Sequence, residues 1–213
     1  MMPQTHFICG LDLGQAEDYS ALAVVERTGQ GKNTEYGCRA IKRWTLGTTY
    51  TQIVEEVKAI CGKEPLLSER TERDSWNRVK TVPVRSTLVV DGTGVGRPVV
   101  DMFRMARIEA QLAGVMITAG MKDGFVDGYW HVAKTLLIST VVALLEQGRL
   151  KFASTLRDID LLVKEFQNYR VKLTSSANET FEARQGENDD MVLAIALACW
   201  YGERCMQKLC IFV

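Results

Sequence analysis

No Cys-x-x-Cys pair occurs in the sequence, and only two histidines, His6 and His131, are present. Zinc sites need clustered thiolate and imidazole ligands, so zinc chemistry is set aside. The six cysteines, Cys9, Cys38, Cys61, Cys199, Cys205 and Cys210, show no framework spacing and read as buried free thiols of a reducing compartment. No apolar run is long enough to span a bilayer, and no N-terminal stretch has the pattern of a secretory signal. A membrane partner is therefore not expected. Surplus charge is missing as well: 26 Lys and Arg balance 26 Asp and Glu, for a formal net charge of zero. A module that grips nucleic acid by charge alone is usually basic. Neutrality leaves room for a metal-dependent enzyme, because carboxylates that hold cations count as negative in the balance.

What is present suits one α/β domain over residues 1–213, with 46% hydrophobic and 24% charged residues. Residues 7–13 alternate as a strand, with Phe7, Cys9, Leu11 and Leu13 on one side and Ile8, Gly10 and Asp12 on the other. Apolar runs at 21–25 and 36–44 follow at short spacing, predicting a three-strand antiparallel meander. Ile53, Val57 and Ile60 recur at helical spacing within 51–61. Residues 63–85 have a different texture, with Arg70, Arg73, Arg78, Lys80 and Arg85 among polar residues, and read as a surface insertion or a DNA-facing loop.

Leu88, Val89 and Val90 form a continuous apolar run ending in Asp91, the pattern of a parallel strand covered on both faces. A glycine-rich loop at 92–96 leads to a helix with Pro98 in its first turn. Residues 115–118 read as another strand, Lys134 opens a helix carrying Leu137, Val141 and Leu144, and Leu156 to Phe166 supplies a further helical face. Residues 167–184 are compatible with a hairpin or irregular strands, and a helix starting at Asn188 is apolar almost all round. This order predicts a mixed sheet with helices on both faces.

Three acidic positions stand out: Asp12 near the end of the first strand, Asp91 at the end of the buried one, and Asp189 with Asp190 opening the last helix. Carboxylates at a helix start also satisfy free amides and the macrodipole, so the last pair has two readings. If the strands of Asp12 and Asp91 are parallel neighbours, the two acids stand side by side where α/β sheets bind ligands, and the last helix can bring Asp190 to them. Gathered, half-buried carboxylates repel one another and are costly to desolvate. Divalent cations relieve both problems, and oxygen-only ligands select hard ions such as magnesium or manganese. Two such ions roughly 4 Å apart suit phosphodiester hydrolysis. Lys134 is a candidate basic helper, placed to stabilise developing charge on a phosphate.

The residues carrying this pattern resemble a known family. Gly10-Leu11-Asp12-Leu13-Gly14 with Asp18-Tyr19-Ser20-Ala21, then Val90-Asp91-Gly92-Thr93-Gly94, then Asn188-Asp189-Asp190-Met191 resemble the C-terminal nuclease domain of phage terminase large subunits. Lys134-Thr135-Leu136-Leu137 and Gln147-Gly148-Arg149-Leu150 resemble that domain's linking helices, so the likeness covers almost the whole chain. It implies a ribonuclease-H-like fold, with a five-stranded mixed sheet flanked by helices. It also implies a two-metal endonuclease that cuts double-stranded DNA during viral genome packaging in the host cytoplasm. On the likeness Asp12, Asp91 and one or both of Asp189 and Asp190 are metal ligands, with Asp190 preferred, while Lys134 and Asp18 match recurrent family positions. The implied partners are double-stranded DNA and, in a packaging assembly, an ATPase motor domain, a small terminase subunit and a portal. The sequence departs from a whole terminase in having no Gly-x-x-x-x-Gly-Lys-Ser/Thr loop, so it reads as an excised nuclease domain or a stand-alone gene product without motor activity.

Two other classes share parts of the pattern. A Holliday-junction resolvase or transposase of the same fold would place its carboxylates similarly. A sugar-kinase or actin-type ATP-binding protein also opens on a Gly-x-Asp-x-Gly strand, but needs a second such half that this length hardly allows.

Overall fold

The computed structural model describes residues 5–15, 18–94, 96–120, 123–168, 170–173, 179–182 and 189–209, with residues 168, 170–173, 179–182 and 205–209 described by their backbone only. The chain runs β1 (His6–Asp12), β2 (Ala21–Thr28), β3 (Glu35–Arg43), α1 (Tyr50–Cys61), β4 (Leu67–Arg73), β5 (Val79–Asp91) and α2 (Gly96–Met105). It continues through β6 (Ala110–Thr118), β7 (Gly124–Val126), β8 (Tyr129–Ala133), α3 (Lys134–Glu146), β9 (Leu150–Phe152), α4 (Ile159–Asn168), β10 (Arg170–Leu173), β11 (Glu179–Glu182) and α5 (Asp190–Leu209). Residue 188, the expected start of the last helix, lies outside the described residues.

The expected meander is present, with β1 antiparallel to β2 and β2 to β3. β1 then pairs in parallel with β5, and β5 in parallel with β6. Those five strands are the predicted mixed sheet. Among the described residues it extends further, in the order β7-β8-β6-β5-β1-β2-β3-β9, with β4 attached to β5. The short strands β7, β8 and β9 escaped the sequence reading because three to five residues carry too little periodicity to register.

Strand alternation divides the core into two layers. Cys9, Leu11, Leu22, Val24, Leu88 and Val90 pack against Ile53, Val54 and Val57 of α1 and Val99, Val100 and Phe103 of α2. Ile8, Ala21, Ala23, Val25 and Val89 face the other way, onto α3 and α5. Thr49 caps α1 through a reciprocal pair of hydrogen bonds with Gln52. Met191 to Trp200 of α5 are all buried, which is why that helix shows almost no polar face. It lies directly on β1. A Cβ on Gly10 would penetrate the Ala194 carbonyl oxygen and come within 3.0 Å of the Ala198 amide nitrogen. Glycine at position 10 is thus what lets helix and strand backbones touch.

Residues 63–85 are built differently from a loop. β5 has 13 residues, not the short run ending at Asp91, and its first half pairs with β4 as an antiparallel ribbon from Leu67↔Arg85 to Arg73↔Val79. The ribbon is mostly exposed, with Trp76 near its tip 75% accessible. A mostly solvated ribbon needs no apolar alternation, so its strands left little periodic signal. It is built on the N-terminal half of β5, which runs from Arg85, about 20 Å along the strand from Asp91, to Val79, about 40 Å away at 3.3 Å per residue. Residues 170–173 and 179–182 do form a hairpin. Among the described residues no helix is long and apolar enough to cross a membrane. Cys9, Cys38, Cys61 and Cys199 are buried free thiols, while the side chains of Cys205 and Cys210 lie outside the described residues.

Candidate active site

Asp12 and Asp91 end adjacent parallel strands. The β1–β5 register pairs Gly10 with Val89 and Leu11 with Val90, which carries Asp12 on to Asp91. Both acids continue the faces of Ile8 and Val89, toward α3 and α5. Each is only 9% exposed. The backbone N–H of Thr93 donates to Asp91 Oδ1 at 2.8 Å, so the glycine-rich turn after β5 orients that carboxylate. The Thr93 hydroxyl accepts in turn from Ile117 N–H at 2.8 Å, tying the turn to β6.

The start of α5 brings Asp189 and Asp190 to the same end of the sheet, and α3 brings Lys134. The electrostatics reflect that convergence. Burial raises the Asp12 carboxyl well above its ordinary value, and the charges of Asp91, Asp189 and Asp190 add to the rise, while Lys134 opposes it. Asp91 is raised by burial too, against the Thr93 hydrogen bonds and the Lys134 charge. The acids distant in sequence therefore share one electrostatic environment, with Lys134 as a cation felt by both strand acids.

The two helix-opening acids differ in their partners. Lys134 Nζ donates to Asp189 Oδ2 at 2.7 Å, at a half-buried position. Asp190 is 4% exposed and turns to Arg43 at the end of β3, whose Nε stands 2.9 Å from Asp190 Oδ2. The pair is close enough for a strong ionic contact, although its alignment is not that of a hydrogen bond. Arg43 also approaches Glu165 of α4 at 3.6 Å and lies over the Tyr19 ring at 3.7 Å. Burial pushes the Asp190 carboxyl up to about 6, against the pull of Arg43. Glu165 is pushed up to about 7, again by burial first and then by Asp190. Asp18 adds to the upward push on Asp190 and lines a cleft with Gln15, Trp44, Thr45 and Thr49, next to the site and outside the Asp12–Asp91 pair.

Arg43 and Glu165 escaped the sequence reading. An arginine at a strand end and a glutamate on an amphipathic helix are ordinary surface residues until the fold buries them. The one available signal was Glu165 within the apolar stretch Leu161, Leu162, Val163 and Phe166. Among the described residues no three acidic, histidine or cysteine side chains already stand in a metal-ligating arrangement. Two of the acids are engaged in ion pairs, Asp189 with Lys134 and Asp190 with Arg43. The donors fit a hard divalent cation nonetheless. They are oxygen-only, buried or half-buried, and four in number against the two cations Lys134 and Arg43.

Comparison with known proteins gives a consistent picture. Residues 9–201 match the model of the terminase RNaseH-like domain family. The large terminase nuclease of thermophilic phage G20c with bound magnesium is similar at 20% identity, over 92% of this chain and 82% of that one, with a TM-score of 0.61. The manganese-soaked human cytomegalovirus terminase nuclease domain is similar at 10% identity, over 94% of this chain and 86% of that one, with a TM-score of 0.56. The phage P22 large terminase nuclease domain is similar at 14% identity, over 97% of this chain and 87% of that one, with a TM-score of 0.53. No curated protein sequence matches the chain.

Proposed function

The chain belongs to the terminase RNaseH-like domain family, and from that premise we propose that it is a divalent-metal-dependent endonuclease that hydrolyses double-stranded DNA during viral genome packaging. The observation that carries the reading is the convergence of Asp12, Asp91, Asp189 and Asp190 at one end of the sheet, four acids faced by two cations, Lys134 and Arg43. Likeness to nucleases solved with magnesium or manganese supports the choice of ion.

Asp12, Asp91 and Asp189 are the proposed ligands of two magnesium or manganese ions. Asp189 is proposed ahead of Asp190 because Asp190 faces the largely buried Arg43. Lys134 is exchangeable at Asp189, since its flexible ammonium is half-exposed. When bound, such ions supply Lewis acidity and neutralise charge on a phosphodiester. The chain's residues supply the rest. Thr93 fixes the orientation of Asp91 by its backbone amide. Lys134, released from Asp189, keeps a positive charge near the scissile phosphate and stabilises charge that builds up there. The partners follow from the same reading: duplex DNA as substrate, and in a packaging assembly an ATPase motor, a small subunit and a portal.

The test is cleavage of supercoiled plasmid by the purified protein, with and without magnesium or manganese, alongside a four-way junction and an ATP-binding measurement. Metal-dependent cutting of plain duplex, abolished by Asp12→Asn, supports the proposal. Cutting confined to four-way junctions would move the chain to the resolvase class. ATP binding without cutting would move it to the actin or sugar-kinase class.

A further inference from the structure

The first amides of a helix have no partners within it, and at the start of α5 a side chain of another helix meets part of that need. Asp189, the residue that precedes the helix, points its Oδ2 at Lys134. A carboxylate from another helix serves two of those amides: Glu165 Oε2 of α4 accepts from Met191 N–H at 3.1 Å and from Val192 N–H at 3.3 Å. Glu165 is 4% exposed, so its charge has left water to reach them. Arg43 balances that charge at 3.6 Å while holding Asp190 at 2.9 Å, and its guanidinium carbon stands 3.7 Å from the Tyr19 ring centroid. The start of α5 is therefore gripped from α4 by Glu165 and from β3 by Arg43, with the backbone of Gly10 fixing the helix body two turns on.

We propose that Glu165 and Arg43 are positioning residues for the metal site: Glu165 caps α5 and Arg43 holds Asp190, so that of two adjacent acids only Asp189 is presented toward Asp12 and Asp91. The proposal rests on the metal-site reading above. A buried carboxylate is costly to desolvate, and two helix amides with Arg43 beside them offset that cost at this position. Outer partners that orient metal ligands typically change metal affinity about 10–100-fold when removed.

The experiment is calorimetric titration of manganese into the metal-free protein, for wild type, Asp12→Asn, Glu165→Leu and Glu165→Gln, with circular dichroism as the folding control. Glu165→Leu removes the acceptor, and we expect it to bind manganese at least about tenfold more weakly while folded. Glu165→Gln keeps a carbonyl oxygen for the amides and should stay within about threefold of wild type. Folded Glu165→Leu with affinity within twofold of wild type would overturn the proposal, as would an equal loss in the Gln and Leu variants. If Glu165→Leu does not fold, Glu165→Asp decides. It retains the charge but draws the carboxylate back by one methylene, so a loss of fivefold or more supports the assignment and wild-type affinity rejects it. Failure of the underlying reading looks different: wild type then takes up no manganese, or Asp12→Asn takes up as much.

Discussion

Gly10→Ala tests the central packing contact and the site together. The added methyl group has no flexible neighbour to displace. It would enter the Ala194 carbonyl oxygen and stand 3.0 Å from both the Ala194 carbonyl carbon and the Ala198 amide nitrogen, all backbone atoms of a helix buried on every side. Strand β1 and helix α5 must then part by on the order of 1 Å, which forfeits a quarter to a half of the dispersion energy of each contact across that seam. Overpacking of side chains costs about 1–3 kcal/mol, and a rigid backbone obstacle belongs at the upper end, near 3 kcal/mol. For a domain of this size that is a fall in Tm of about 6–12 °C. The same displacement moves Asp189 away from Asp12, and misplacements of about 1 Å cost on the order of a hundredfold in rate. Differential scanning calorimetry and plasmid cleavage below the lowered Tm check both numbers. Gly124→Ala is the control, because nothing lies within 4 Å of the added methyl group there. A Gly10→Ala variant that melts within about 2 °C of wild type and cuts normally would refute the argument that this glycine sets the spacing of helix and strand.

Further expectations concern the carboxylates, the metal and the ribbon. Asp12→Asn and Asp91→Asn should each lower metal-dependent cleavage about a thousandfold, equivalent to about 4 kcal/mol of transition-state stabilisation. The metal-free Asp12→Asn protein should melt at or above the wild-type temperature, because a repelling buried charge has gone; a marked drop in Tm would contradict the electrostatic account. Removal of divalent ions with a chelator should stop cutting, and magnesium or manganese should restore it. Sequencing of the cut ends should show no strong consensus, since nothing in the sequence resembles a base-reading helix. Replacing residues 71–81 by Asn-Gly shortens the β4–β5 ribbon to a tight hairpin between Arg70 and Val82. The Tm should stay within about 4 °C and cleavage within about threefold, because the excised residues are exposed and lie at the far end of β5 from Asp91. Loss of cutting with an intact fold would place the ribbon in the grip on DNA.

Much of this protein was settled by the sequence alone. Alternation along residues 7–13 told Cys9 and Leu11 from Ile8, Gly10 and Asp12, because neighbouring side chains of a strand must point to opposite faces. The all-apolar run from Met191 to Trp200 announced a helix buried on every side, and short links between the first three strands left little but a meander. The acids at strand ends could be named for the same reason: a charge next to a buried run is conspicuous. What only the tertiary structure decided is how the charges are shared. Asp189 and Asp190 are adjacent in sequence and chemically alike. Their separation into a partner of Lys134 and a partner of Arg43 depends on residues more than fifty positions away. Glu165 carries no mark in the sequence of serving amides on another helix. The β4–β5 ribbon, mostly solvated, carries little apolar period. Burial writes a pattern into one-dimensional sequence, whereas the pairing of charges depends on distances that exist only after the chain has folded.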